Sequence, residues 1–106
     1  MSELTDRTIA ALRVDRDEVA ALASGLSDAD LERPSGSADW DVAQVLSHLG
    51  SSAEIGLAGL QSVLAGADYP GHDFNVVVWD RWNAMGRREQ ADAFLDASER
   101  YVRAFE

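Results

Sequence analysis

The sequence predicts an all-α protein folded as a helical bundle, and three observations support this fold class. Hydrophobic residues make up 46% of the 106 positions, and they recur at the three- and four-residue spacing of amphipathic helices. Serine and aspartate precede these periodic stretches and glycine follows them, as expected at helix ends. A candidate strand occurs only at residues 76–78, with no second strand to pair with. Residues 1–106 are therefore expected to form one helical domain with about three long helices.

The first helix is predicted from about residue 3 to about residue 24, where Gly25 is well placed to end it. Its predicted apolar face consists of Leu4, Ile9, Leu12, Val19, Leu22 and Leu26. Charges of alternating sign, including Arg13 and Arg16, are expected mostly on the solvent side. Ser27 then caps a short helical turn.

The second helix is predicted to begin after Asp41 and to run to about residue 65. Asp41 can accept hydrogen bonds from the first-turn N–H groups, while Gln44 can reach back to the Asp41 backbone, which makes a capping box. The apolar stripe that follows consists of Val42, Val45, Leu46 and Leu49. His48 falls on the margin of this stripe, where a side chain can face a cleft between helices.

Spacing alone leaves two interpretations of His48 open. A histidine at the edge of an apolar face is commonly a half-buried residue that bonds to a backbone carbonyl or to water. It is alternatively a metal ligand or a general base, because neutral imidazole is available near physiological pH. The chain has no cysteine, so any metal must be held by nitrogen and oxygen atoms.

Three glycines interrupt the second helix at a cost of roughly 1 kcal/mol each relative to alanine. They are Gly50, Gly56 and Gly59. Two interpretations follow: close packing of another helix over small residues, or room for a cofactor or substrate on the flank of His48.

Residues 66–73 are then predicted as a loop whose polar residues precede the next helix, with Asp73 or Asn75 as its cap. His72 in this loop is a candidate second metal ligand, although a solvated histidine is the commoner outcome.

Residues 74–83 are predicted as a helix despite three consecutive valines. Trp79 and Trp82 then share one face, either as core or dimer contacts or as a wall of a pocket beside the metal. After a bend at Gly86, residues 87–105 form a helix whose apolar stripe reaches the last residues. Three such helices leave a seam that a fourth element must cover. We expect a homodimer, or residues beyond these 106, to cover it.

Composition argues against several functions. There are 9 basic and 19 acidic residues, for a formal charge of −10, which disfavours nucleic acid or an anionic membrane surface as a partner. The chain has no apolar run near the roughly 20 residues that span a bilayer, and no signal peptide is recognisable. A cytoplasmic location is therefore expected. Glycine-rich phosphate loops and a G-x-S-x-G nucleophile turn are also absent from the sequence.

Short motifs give the chain a family resemblance. The segment from Trp40 to Leu49, with Trp-Asp-Val followed by Val-Leu-x-His-Leu, resembles the second-helix motif of DinB-like four-helix-bundle metalloproteins. It most closely resembles the N-terminal metal-binding domain of the mycothiol-dependent maleylpyruvate isomerase family. Residues 26–34 are similar to that family's linker between its first two helices, and residues 74–83 to the opening of its third helix.

The resemblance implies an up-down bundle in which His48 is the first of three protein ligands to a divalent metal, commonly zinc. In the family the other two ligands, Glu or His followed four residues on by His, lie on a later helix that these 106 residues do not include. The metal would act as a Lewis acid on the thiol of mycothiol, in isomerisation or thiol transfer on a small organic acid or electrophile. The alternative is a non-catalytic helical scaffold or dimerisation domain that has lost the metal site.

Overall fold

The structure is a computed structural model that describes residues 2–37 and 39–106, and within those residues it contains five helices and no strand. The helices are α1 (Glu3–Ser24), α2 (Asp28–Leu31), α3 (Val42–Ala65), α4 (His72–Asn83) and α5 (Arg87–Phe105). The predicted all-α class is confirmed. The expected domain span includes Met1 and Ala38, which lie outside the described residues. In the described part of the chain, every helix is too short or too polar to cross a membrane.

Local capping explains most of the helix boundaries. Ser27 and Asp30 form a reciprocal capping box at α2, with the Asp30 N–H 3.1 Å from the Ser27 hydroxyl and the Ser27 N–H 3.0 Å from the Asp30 carboxylate. Gly66 ends α3 in the left-handed region, with a φ of 67°, which glycine adopts without steric cost.

The start of α4 differs from the prediction. The helix begins at His72 with Gly71 as its N-cap and with no side-chain cap hydrogen bond. The predicted loop over residues 66–73 is therefore two residues too long, and the expected cap at Asp73 or Asn75 is wrong. The polar side chains after Gly71 favoured a loop by composition, but the backbone enters the helix without using them as caps.

Helix α5 lies at the centre of the packing. It contacts α1 on one side and α3 on the other, while α4 packs on α3, and the short α2 sits against α3 and α5. The main cluster of buried side chains joins α1, α2, α3 and α5 through Ala23, Leu31, Ala43, Leu46, Ala91 and Phe94. Burial of these apolar groups is the main stabilising term for the bundle.

Helix α1 presents a different face to α5 from the one predicted. Its buried residues are the small Ala20 and Ala23, whereas Leu4 and Leu22 are 72% and 73% exposed. Arg13 and Arg16, expected mostly in solvent, instead face α5 with only 25% and 16% of their side chains exposed. Leu4 and Leu22 are consequently turned away from α5, whereas Leu12 and Val19 still border a cavity with α5 residues.

Ion pairs between α1 and α5 explain this rotation. Arg13 donates to Glu99 at 2.7 Å and to Glu106 at 2.6 Å, and Arg16 donates to the Leu95 carbonyl at 2.8 Å. The hydrogen bond from Arg13 holds the pKa of Glu99 below its ordinary value, and it does the same for Glu106. These bonds hold the side of α1 that carries Arg13 and Arg16 against α5.

We expect acid to weaken this junction. A carboxylate whose pKa is lower in the folded chain than in the unfolded chain stabilises the fold above the unfolded pKa, about 4.3 for glutamate. That stabilisation is lost as the pH falls through the folded pKa. Glu99→Gln should therefore flatten the fall in unfolding free energy below about pH 5. Urea unfolding at several pH values measures this slope, and the exposed Asp92→Asn on the same helix is the control. Equal slopes in wild type and Glu99→Gln would contradict the assignment.

Candidate functional site around His48

The N-terminus of α3 is fixed by the capping box predicted from the sequence. The Gln44 N–H donates to the Asp41 carboxylate at 2.7 Å, and the Asp41 N–H donates to the Gln44 side-chain oxygen at 2.8 Å. Arg87 at the start of α5 donates to the other Asp41 oxygen at 2.9 Å, and this bond raises the pKa of Arg87. The helix that carries His48 is thus attached at its first turn to α5.

The loop before α3 places Trp40 beside His48. The backbone N–H and the hydroxyl of Ser35 both donate to the Trp40 carbonyl, at 3.1 and 2.8 Å. The indole and imidazole rings then lie 5.2 Å apart between centroids, at an angle of 46°. His48 is exposed, and its ring makes no hydrogen bond to another described residue. The structure thus leaves the imidazole nitrogens accessible.

Trp40 and His48 border a cavity of about 580 Å³ between α3 and α4, to which α5 contributes one residue. We call it the Trp pocket. It is lined by Trp40, Gln44, Ser47, His48, Ser51, Trp79, Trp82, Asn83 and Gln90. Its size falls within the range of ligand-binding sites, roughly 300–1,000 Å³. The interpretation of Trp79 as a pocket wall agrees with this geometry, and the Trp79 side chain is 38% exposed.

Trp82 has a different role from Trp79, since it is only 2% exposed. Its indole N–H donates to Glu54 at 3.1 Å, and its carbonyl accepts from the Gln90 amide at 3.1 Å. Its ring lies against Gly50, where an added Cβ would come within 2.6 Å of ring atom Cζ3. Trp82 is therefore a core residue that sets the separation of α3 and α4 and lines one side of the Trp pocket.

Aromatic rings also pack against the other two glycines of α3, Gly56 and Gly59. An added Cβ at Gly56 would lie 2.7 Å from the Tyr101 ring, and one at Gly59 would lie 2.6 Å from the Tyr69 hydroxyl. Contact with these rings supports the packing interpretation of the glycines. Neither glycine lines the Trp pocket.

Two further polar residues, His72 and Glu54, lie outside the Trp pocket. His72 is the first residue of α4, and its ring lies edge-on to Trp79 with 6.1 Å between centroids, but it does not line the pocket with His48. Glu54, on the same helix as His48, accepts hydrogen bonds from Arg81 and Trp82. The structure therefore brings neither residue to the His48 ring.

The part of the chain that the structure describes contains no complete metal site. Within the described part of the chain, no group of three or more His, Asp or Glu side chains is placed to hold a metal ion. A stable zinc centre normally has three or four protein ligands. A metal bound at His48 would therefore need its other ligands from outside residues 2–37 and 39–106.

Sequence reasoning did not anticipate that Asn83 and Gln90 share a pocket with His48. Asn83 is the last residue of α4 and Gln90 lies in the first turn of α5. The turn at residues 84–86 brings them to one side of the pocket. Gln90 is 6% exposed, and a polar residue within the apolar stripe of α5 was the available signal.

A second, apolar cavity of about 330 Å³ opens between α1 and α3 above α5. We call it the open groove. It is lined by Leu12, Asp15, Arg16, Val19, Leu49, Ser52, Ala53, Phe94, Ser98, Tyr101 and Val102. Val19 and Leu49 are 37% and 42% exposed there. Leu49 follows His48 directly in the chain, but Leu49 lines the groove and His48 lines the Trp pocket.

Comparison with known proteins gives one match. The sequence model of the mycothiol maleylpyruvate isomerase N-terminal domain matches residues 12–106. Neither the curated proteins nor the solved structures include one that matches the chain. The matched range contains His48 and all the residues that line the Trp pocket and the open groove.

Proposed function

The chain belongs to the family of mycothiol maleylpyruvate isomerase N-terminal domains, and we propose that it is a metal-binding domain of a mycothiol-dependent isomerase or thiol transferase. In this proposal His48 is one ligand of a divalent metal, with zinc favoured because imidazole nitrogen suits it and cysteine is absent. The small-molecule partner would be a thiol or an organic acid. The proposal keeps the cytoplasmic location expected from the sequence.

The observation that carries this proposal is the accessible imidazole of His48 at the edge of a cavity. The ring is exposed, it lies against Trp40, and it borders a pocket of about 580 Å³. A histidine that served only the core would be buried and bonded to a neighbouring group. His48 instead stands where a ligand from outside the described residues can reach it.

What the chain contributes under this proposal is a ligand and a pocket. The remaining ligands would come from a second copy, from another part of the protein, or from water. Because one imidazole does not complete a metal centre, we assign no reaction step to the described residues.

The alternative function is a non-catalytic helical scaffold. It is favoured by the lack of a three-ligand cluster in the described part of the chain. The two functions differ in one property, since a scaffold would not recruit metal to His48.

Titration of metal-free protein with zinc, followed by the NMR signals of the histidine rings, tests the proposal. The chain has two histidines, so the two rings can be assigned with one variant. We expect the His48 signals to shift or broaden at lower zinc concentration than those of His72, which serves as an internal reference. Equal responses of the two rings would favour the scaffold.

We also propose that the 106-residue chain forms a homodimer through the open groove. Apolar side chains dominate its lining, and its two charged residues, Asp15 and Arg16, carry opposite signs. This face therefore carries no net charge although the chain as a whole carries −10, and two copies can approach through it without strong repulsion. The apolar surface that would be covered also provides the driving force.

Sedimentation velocity tests the dimer. We expect the wild-type chain to sediment as a dimer, and Leu49→Asp to sediment as a monomer because a carboxylate would be placed in an apolar contact without a partner. Leu64→Asp is the matched control, since Leu64 lies on the same helix, is 76% exposed and is outside the groove. A monomeric wild-type chain, or a dimer that survives Leu49→Asp, would contradict this interface.

A further inference from the structure

A third cavity, of about 460 Å³, lies between α3, α4 and α5, and we call it the α4 cleft. Its lining includes Leu57 of α3, Phe74 and Met85 of α4, and Asp96 and Arg100 of α5. Of the described residues, only Trp82 lines both this cleft and the Trp pocket, and His48 does not line it. The cleft falls within the size range of ligand-binding sites, roughly 300–1,000 Å³. It is therefore a cavity separate from the candidate metal position.

Much of the lining of the α4 cleft is apolar. Leu57 and Met85 are partly buried, and Phe74 is 38% exposed, so all three side chains can cover a ligand. Apart from Trp82, the rest of the apolar lining consists of small residues, which leave space between the helices: Ala58, Ala93 and Ala97. Covering this apolar surface provides a driving force for binding. The cleft is therefore suited to a ligand with a large apolar group.

Four charged residues also line the cleft, and two of them are already paired. Arg81 donates to the Glu54 carboxylate, which also accepts from the Trp82 indole N–H at 3.1 Å. Asp96 and Arg100 lie one turn apart on α5, and their charged atoms approach only to 3.8 Å, which is longer than a hydrogen bond. Neither side chain forms a hydrogen bond to another described residue. With 74% and 68% of these side chains exposed, both charges can reach a ligand.

The close approach of Asp96 and Arg100 restricts the charge of that ligand. A carboxylate alone would bond to Arg100 but would stand close to the Asp96 carboxylate, and an amine alone would meet the reverse arrangement. A zwitterion engages both groups, because its carboxylate fits the guanidinium and its ammonium fits the aspartate. The paired Glu54 and Arg81 add no net charge to the lining. The charges of the cleft therefore favour a zwitterionic ligand.

We propose that the α4 cleft binds a free α-amino acid with a large apolar side chain. The apolar side chain of the ligand packs against Leu57, Phe74 and Met85. Its carboxylate accepts hydrogen bonds from Arg100, and its ammonium group donates to Asp96. The inference goes beyond the proposed function, since it uses a different cavity and requires no metal.

The test follows the indole N–H signals of metal-free protein in NMR, which are three because the chain has three tryptophans. The probe is L-phenylalanine, and at matched ionic strength it is compared with N-acetyl-L-phenylalanine, L-phenylalaninamide and glycine. The first two comparison compounds lack one of the two charges, and glycine lacks the apolar side chain. We expect L-phenylalanine to shift the signal of Trp82, which lines the cleft and is bonded to Glu54. The signals of Trp40 and Trp79, which line only the Trp pocket, should stay in place.

Variants on α5 show whether the exposed charges make the site. Arg100→Gln should weaken binding of L-phenylalanine by about tenfold, and it should make L-phenylalaninamide bind at least as well as L-phenylalanine. Arg103→Gln is the matched control and should bind as wild type. Arg103 also lies one turn after an acidic residue, at 3.6 Å from Glu99, its side chain is 74% exposed, and it does not line the cleft.

Three results would overturn the proposal. The first is a Trp82 signal that L-phenylalanine does not shift up to its solubility limit. The second is an equal shift by any of the three comparison compounds, and the third is wild-type binding by Arg100→Gln. Because Arg100 is exposed, its replacement does not endanger the fold. Because no metal is present, none of these results bears on metal binding at His48.

Discussion

Trp82→Ala is expected to lower the free energy of unfolding by about 3–5 kcal/mol, as is usual when a buried tryptophan is truncated. Trp82 is 2% exposed, and its ring fills the space that Gly50 leaves on α3. Truncation would open a cavity between α3 and α4. It would also remove the hydrogen bond that the Trp82 indole N–H donates to Glu54. For a small domain with a total stability of about 5–15 kcal/mol, this loss is a large fraction of the whole.

Urea unfolding followed by circular dichroism measures the effect without relying on tryptophan fluorescence. Trp79→Ala is the matched control, because it removes the same side chain from the same helix at a position that is 38% exposed. Its cost should stay near or below about 1 kcal/mol, as for substitutions outside the core. Similar losses in the two variants would show that Trp82 does not have the packing role described here.

Much of the helical framework could be predicted from local chemistry. The capping pair Asp41 and Gln44 marks the start of α3, and both of its hydrogen bonds are present at 2.7 and 2.8 Å. The first and last residues of α1 were also predicted correctly. Capping and periodicity act over three or four residues, so a single sequence shows them directly.

The orientation of α1 could not be predicted in the same way. Periodicity identified its long apolar residues and assumed that they face the core. In the structure, bonds from Arg13 to Glu99 and Glu106 hold the side of α1 that carries Arg13 against α5, and Leu4 and Leu22 are left exposed. These partners are 86 and 93 residues apart in the chain, and no local pattern reports a contact over such a separation.

The candidate site also combines features that local sequence predicts with features that depend on tertiary packing. The proximity of Trp40 and His48 follows from their positions on either side of the first turns of α3, and the predicted margin position of His48 agrees with its exposure. Asn83 and Gln90 reach the pocket only because α4 and α5 are joined by the short turn at residues 84–86. The positions of Asn83 and Gln90 at the pocket depend on how α4 and α5 pack together. The spacing of these residues in the sequence therefore did not predict that they would line it.

His48→Ala is expected to abolish retention of a divalent metal, with little change in the fold. The side chain is exposed, so its removal costs little packing, and surface substitutions usually change stability by no more than about 0.5 kcal/mol. One imidazole competes poorly for zinc, so retention through purification requires further ligands from outside the described residues. If a second copy supplies them, Leu49→Asp should lose metal together with the dimer.

Elemental analysis of untagged protein purified without chelator is the most direct measurement of this claim. We expect near-stoichiometric zinc or another divalent metal in the wild-type chain, none in His48→Ala, and wild-type content in His72→Ala, which removes the other histidine. A wild-type chain without metal, or equal metal in wild type and His48→Ala, would contradict the assignment of His48 as a ligand and leave the non-catalytic scaffold as the function of this domain.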